Sequence, residues 1–420
     1  MSFLKSGLAL KSVPNYFPKS IPAKIGDDAC NIDTPSLVVD LDAFEYNLKL
    51  LPNIVESISA KGQNIKIRPH YKSHKCPSIS VLQHEIGGAT GICCAKITEA
   101  ESLVFGSQSS RAWDILITNQ VASERKMERI YNVIKKLAEN PQSAPLGVCV
   151  DDFFQISLLE KMLASTSFKL DVYIELNVGQ ERCGVNCPAE ALEIAQRITS
   201  FTSFNFKGLL AYNGSNQHNR SHLERSETVM SSSFKGKIIS CLDTFKENNI
   251  KCQIVTGGGT GSFPYEIQSG VFQEIQPGSY IFMDADYYSN FTELGDHNHA
   301  FKKSSFVYSR IQSLKGLDSL NPRIILDAGL KAISLDSGPP EVLLPQDYPK
   351  FEYLNQGDEH GKLVPPIGCI VGSKQFKLGE IIKLVPGHCD PTVNMHNFLI
   401  GIRGNKVETV WPIEGRGPGH

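Results

Sequence analysis

What most constrains this chain is the alternation of short β-rich runs with amphipathic helical stretches from about Thr34 onward. The runs are "SLVVDLD" (36–42), "NIKIRPH" (64–70), "GICCA" (91–95), "DILITNQ" (114–120), "LGVCVDD" (146–152), "LDVYIELNV" (170–178), "NFKGLLAYN" (205–213) and "KCQIVTGGG" (251–259). Helical periodicity fills most of the gaps. In "SERKMERIYNVIKKLAEN", Met127, Ile130, Val133, Ile134 and Leu137 fall on one face. Pro188 opens "PAEALEIAQRIT" at a favoured first-turn position. Strand, helix, strand, repeated about eight times, is the pattern of an α/β protein with a parallel sheet, and eight units favour a closed (β/α)8 barrel over an open sheet. Chemistry in such a barrel collects on the rim formed by the strand C-terminal ends. His70 with Lys72, Asn177 with Arg182, Tyr212 with His218, and Gly257 to Gly261 all follow such ends.

After about Phe301 the texture changes. "SSFVYSRIQSL", "RIILDAGLKAIS", "EIIKLVPG" and "FLIGIRGNKVETVWPI" read as strands joined by turns. The expected organisation is an N-terminal arm (1–30), the barrel (31–298) and a mostly β C-terminal domain (299–420). The first 26 residues carry lysines, no acids and three prolines but no arginine, and they read as an arm packed on the body rather than a transit peptide. A net charge of −2 gives no electrostatic case for nucleic acid or an anionic membrane, and no apolar run is long enough to span a bilayer. The 11 cysteines lack regular zinc spacing, which suits free thiols in a reducing, cytoplasmic setting.

Three motifs carry chemistry. In "VTGGGTGS", Gly257, Gly258, Gly259 and Thr260 can turn tightly and bring backbone N–H groups to a phosphate. The loop is neither a P-loop, since no Lys-Ser/Thr follows, nor a dinucleotide fingerprint. In "RPHYKSHKCP", a lysine at a barrel mouth can be deprotonated by burial and neighbouring cations, with Arg68, His70 and Lys75 as the expected field. A neutral lysine amine adds to an aldehyde. With a phosphate loop on the same rim, this points to a pyridoxal 5'-phosphate site. In "LVPGHCDPTVNMH", His388 and Asp390, two apart on a segment expected to be extended, point the same way and can share a divalent metal: Mn2+ or Mg2+, with Zn2+ behind them.

In order along the chain, "TPSLVVDLDAFEYNL", "RPHYKSHKCP", "GICCAKITEAE", "ELNVGQERCGV", "AYNGSNQH", "TGGGTGS", "QPGSYIFMDADY", "DAGLKAISLDSG", "DEHG" and "VPGHCDPTVN" resemble the D-threonine aldolase and 3-hydroxyaspartate aldolase family. The resemblance implies an alanine-racemase-type barrel, pyridoxal phosphate and a divalent metal. It implies that Lys72, rather than Lys75, is the Schiff-base lysine, and the expected catalytic residues are Lys72 and His70. It places Arg182, Tyr212 and His218 near the cofactor ring, Gly257, Gly258, Gly259 and Thr260 at the phosphate with Tyr280 beside it, and His388 and Asp390 on the metal. Ala95 stands where relatives carry glutamine, so one cofactor contact is absent or replaced. The implied activity is cleavage of D-β-hydroxy amino acids to glycine and an aldehyde, with a homodimer as the assembly. The rival on the same scaffold is a D-serine or 3-hydroxyaspartate dehydratase, related enzymes that favour His-x-Cys at the metal motif. A non-catalytic pyridoxal-phosphate carrier is the rival from another class. Asp336, Ser337, Glu359 and His360 are further candidates for reading the substrate side chain.

Overall fold

The structure, a computed structural model, describes residues 21–297, 299–372 and 375–420. Residues 1–20 of the expected arm lie outside the described residues. The first nine strands are β1 (Ser36–Asp40), β2 (Lys66–Ile67), β3 (Ile92–Cys94), β4 (Ile115–Ile117), β5 (Gly147–Val150), β6 (Leu170–Glu175), β7 (Phe204–Ala211), β8 (Ile254–Gly257) and β9 (Glu274–Ile275). Eight of them form a parallel sheet in the order β2-β9-β8-β7-β6-β5-β4-β3. Parallel bridges Ile67 to Ala89 and His70 to Cys93 join the two ends, so the sheet closes into the expected barrel.

The strand membership differs from expectation at both ends of the run. β1 is not a barrel strand. It pairs antiparallel with β10 (Ser305–Lys315) and parallel with β16 (Phe398–Arg403) in the other sheet. Its residues Ser36 to Val39 are buried, so its apolar pattern fits the middle of either sheet equally well. The eighth barrel strand is β9, which pairs with β8 and β2 and is too short to show any period.

The remaining strands are β11 (Arg323–Leu326), β12 (Glu341–Leu343), β13 (Glu352–Asn355), β14 (Gly361–Val364), β15 (Ile381–Val385) and β17 (Lys406–Pro412). They complete a nine-stranded sheet, β11-β14-β13-β12-β15-β10-β1-β16-β17, as expected for a mostly β second domain. β1 ties the two sheets together by chain order, since helix Leu41–Ile58 runs directly from it into the barrel layer. Asp40 caps that helix by accepting from the N–H groups of Asp42 and Ala43.

The barrel buries apolar residues on both faces of its strands. Met127, Ile130, Val133, Ile134 and Leu137 of helix Glu124–Ala138 pack against the outside, as their spacing requires. Cys93, Leu116, Cys149, Tyr173, Leu210 and Ile254 fill the lumen. Arg68 lies inside a polar plug there, with Nε 2.9 Å from Glu274 Oε1 and Nη1 2.8 Å from Asp114 Oδ1. Gly91 leaves room for it, since a Cβ there would stand 2.2 Å from Nη1. All eleven cysteines are free. No helix among the described residues is long and apolar enough to cross a membrane.

Candidate active site

A cavity of about 220 Å³ opens at the C-terminal rim of the barrel. Its walls include His70, Lys72, Ala95, Arg182, Tyr212, Gly259 and Thr260. Each of the four expected rim segments therefore contributes to it, whereas Asn177, His218, Gly257, Gly258 and Gly261 are not among the residues that line it. Thr118, Asn119, Gln276, Gly278, Ser279 and Tyr287 also line it; the last four lie within "QPGSYIFMDADY", of which only Tyr280 is a site residue expected from the sequence. Thr118 and Asn119 directly follow β4, so the rim rule applied to every strand would have found them.

Lys72 sits in a single turn of 3-10 helix, Tyr71–Ser73, immediately after the bridge that closes the barrel. Its Nζ lies 3.1 Å from Asp390 Oδ2, and its side chain is 40% exposed. The electrostatics run opposite to the expected depression. Asp390 holds the lysine pKa well above its usual value, outweighing burial. The basic cluster disperses in space: Arg68 enters the lumen, and Lys75 donates to Asn394 Oδ1 at 2.7 Å and lies 3.7 Å from Glu99. Burial, then the Lys72 charge, push the His70 pKa down to about 3, so this ring is neutral. His70 Nε2 meets Thr118 Oγ1 at 3.3 Å, while its Nδ1 is buried without a partner.

The glycine loop follows β8. Gly257 is the last strand residue, and a Cβ there would stand 2.0 Å from the Ala211 carbonyl oxygen. Gly258 takes φ +74°, which favours glycine. A Cβ on Gly259 would stand 2.4 Å from Gln217 Oε1. Gln217 clamps the loop by accepting from the Gly261 N–H at 2.9 Å and donating to Ser262 Oγ at 2.6 Å. The N–H groups of Gly258, Gly259 and Thr260 meet no protein acceptor among the described residues. Tyr280 is near the loop only through its backbone, whose N–H donates to Thr260 Oγ1 at 3.0 Å. Its ring is fully buried, packs on Phe301 and accepts from Gln83.

Arg182 lies over the Tyr212 ring, 5.7 Å from its centroid. His218 Nδ1 pairs with Asp286 Oδ2, and Arg220 Nη2 holds the other oxygen at 2.5 Å. Burial opposes charge on Asp286, but His218 and Arg220 outweigh it and keep its pKa low. The His218 ring centroid is 5.7 Å from that of Tyr287 and 6.3 Å from that of His388.

The metal motif is not extended throughout. His388 is extended (φ −139°) but caps helix Cys389–Met395, so Asp390 stands in its first turn. The two side chains still converge, with His388 Nε2 3.9 Å from Asp390 Oδ2. Cys389 is buried, and its thiol donates to Asp390 Oδ1 at 3.3 Å. Burial opposes ionisation of Asp390, yet Lys72 and His388 keep its carboxyl well below the usual range. Among the described residues no cluster of three or more His, Cys, Asp and Glu side chains forms a metal cage. The four further candidates separate: Asp336, which Ser337 hydrogen-bonds, lies 2.8 Å from His388, whereas Glu359, adjacent to His360, pairs with exposed Lys331.

The model of the alanine racemase N-terminal domain matches residues 39–286, and that of a putative serine dehydratase domain matches residues 304–402. The D-threonine aldolase of Arthrobacter sp is 38% identical over 94% of this chain and 96% of its own length. The chain belongs to the D-threonine aldolase and 3-hydroxy-D-aspartate aldolase family. Within this aldolase family, the 3-hydroxy-D-aspartate aldolase of Paracoccus denitrificans (strain Pd 1222) is 35% identical over 95% of this chain and 96% of its own. The crystal structure of D-threonine aldolase from Filomicrobium marinum matches with a TM-score of 0.82 at 36% identity, covering 95% of this chain and 99% of that one.

Proposed function

We propose that this chain is a pyridoxal-phosphate and divalent-metal dependent aldolase that cleaves D-β-hydroxy amino acids, of the D-threonine and 3-hydroxyaspartate type, to glycine and an aldehyde. The observation that carries this reading is the meeting of Lys72, at the cavity, with Asp390 of the metal motif at 3.1 Å. A carrier of the cofactor would need no such second motif.

The residues present fit both groups. The free N–H groups of Gly258, Gly259 and Thr260 and the absence of side chains at 257–259 suit a phosphate. Lys72 is the amine for the aldehyde, and Arg182, Tyr212 and His70 wall the cavity around it. His388 and Asp390 offer an imidazole and a carboxylate, a set that suits Mn2+ or Mg2+, with Zn2+ behind them. When bound, pyridoxal phosphate supplies an electron sink for the carbon–carbon cleavage, and the metal supplies a Lewis acid for the β-hydroxyl. His218, oriented by Asp286 and with its ring 6.3 Å from that of His388, is suited to take the hydroxyl proton. Neutral His70 holds its place against Thr118 without adding charge.

The test is product analysis after adding D-threonine to the protein with pyridoxal phosphate and Mn2+, then again with EDTA. Glycine and acetaldehyde, lost on chelation, are expected. The match of residues 304–402 to a serine dehydratase domain favours a second reading, dehydration of D-serine or 3-hydroxyaspartate. It would show as 2-oxobutanoate and ammonia from D-threonine. Against it stand the aldolase relatives along the full chain and Asp390 in place of a cysteine. We further assign a cytoplasmic homodimer: eleven free thiols support the compartment, and exposed Leu354, Ile367, Ile370 and Leu378 support a partner on the β domain. Sedimentation at micromolar concentration tests the dimer.

A further inference from the structure

We infer that Asp336 is a positioning residue for the metal site: it fixes the tautomer and the plane of His388, so that Nε2 is the nitrogen presented beside Asp390. The inference rests on the metal reading above. Asp336 Oδ2 lies 2.8 Å from His388 Nδ1, while Asp390 Oδ2 lies 3.9 Å from Nε2. The two carboxylates therefore bracket opposite edges of one ring. Asp336 cannot join Asp390 around a common ion without giving up the contact it makes. A ligating histidine that donates its other N–H to a carboxylate is held in one orientation and becomes a stronger base toward the metal.

Asp336 is itself held. Ser334 Oγ donates to its Oδ1 at 2.8 Å, and Ser337 Oγ donates to its Oδ2 at 3.2 Å. Its loop is tied to the metal helix by Thr392, whose hydroxyl accepts from the Ser334 N–H at 3.2 Å and donates to the His388 carbonyl at 3.0 Å. The loop is also pressed against the residue before His388. A Cβ on Gly387 would stand 2.3 Å from the Gly338 carbonyl oxygen, a backbone atom that cannot swing aside. Asp336 lies 52 residues before His388 in sequence, yet loop and helix behave as one unit.

The test measures Mn2+ affinity on the pyridoxal-phosphate-loaded protein, by electron paramagnetic resonance of free Mn2+ after chelator treatment. Asp336→Ala is expected to weaken Mn2+ binding about 10- to 100-fold and leave cofactor absorbance unchanged. Asp336→Asn, whose amide oxygen can still accept from Nδ1–H, is expected to weaken it less. Gly387→Ala, which pushes the loop away without touching Asp336, is expected to reproduce part of the Asp336→Ala loss. If Asp336→Ala stays within twofold of the parent while His388→Ala loses Mn2+, the metal site stands and the positioning role is overturned. If His388→Ala binds Mn2+ as the parent does, the metal site itself is overturned, and the positioning role with it.

Discussion

Lys72 and Asp390 lie 318 positions apart in sequence and 3.1 Å apart in space, across the seam between the barrel and the β domain. Lys75, three residues further along, faces away to Asn394 and Glu99. Both lysines thus reach the helix Cys389–Met395, Lys72 at Asp390 in its first turn and Lys75 at Asn394 in its last, and of the two only Lys72 opens on the cavity.

That difference gives the first prediction. Borohydride reduction of the cofactor-loaded protein should fix pyridoxal phosphate on the peptide at Lys72, read by mass spectrometry after digestion. Lys72→Ala should abolish the lysine-linked absorbance, and Lys75→Ala should keep it. Label on Lys75 would overturn the assignment.

The glycine loop offers a second test. A methyl at Gly259 would fall 2.4 Å from Gln217 Oε1, and Gln217 is buried and committed to Gly261 and Ser262. The clamp must shift to admit it. Gly259→Ala should therefore weaken pyridoxal phosphate binding about tenfold, ~1.4 kcal/mol, in equilibrium dialysis. Pyridoxal without the phosphate should bind parent and variant alike. An equal loss for both ligands would place the phosphate elsewhere.

Much of this was legible because it depends on periodicity and on chain ends. Barrel strands β3 to β8 announce themselves through apolar runs and β2 through the alternation of "NIKIRPH" around it, and residues that follow them must stand on the rim. The rest depends on partners far away in sequence. Ser36–Asp40 reads as a strand, but only its pairing with β10 and β16 decides which sheet it joins. β9 has two residues and no period to detect. The basic look of "RPHYKSHKCP" suggested a cationic field, yet carboxylates at positions 114, 274 and 390 divide it up. Tyr280 stands beside the loop in sequence motif and in backbone, while its ring belongs to the core. The link from Asp336 to His388 leaves no local signal at all.

The last prediction concerns Glu266, beneath the glycine loop. It is 1% exposed, takes a 2.8 Å hydrogen bond from Ser262 Oγ, and leaves Oε2 without a partner. Burial raises its pKa from 4.5 to about 7. In the folded chain the group therefore keeps a proton between those values that the unfolded chain has released. Its contribution to stability is full below the unfolded pKa and is lost as pH rises through about 7, by at most about 3 kcal/mol. Glu266→Gln mimics the protonated acid and cannot ionise. In urea denaturation the variant should gain on the parent as pH rises, exceeding it by clearly more at pH 8 than at pH 5. A stability difference that does not change between the two pH values would mean that Glu266 is already ionised in the folded protein at pH 5.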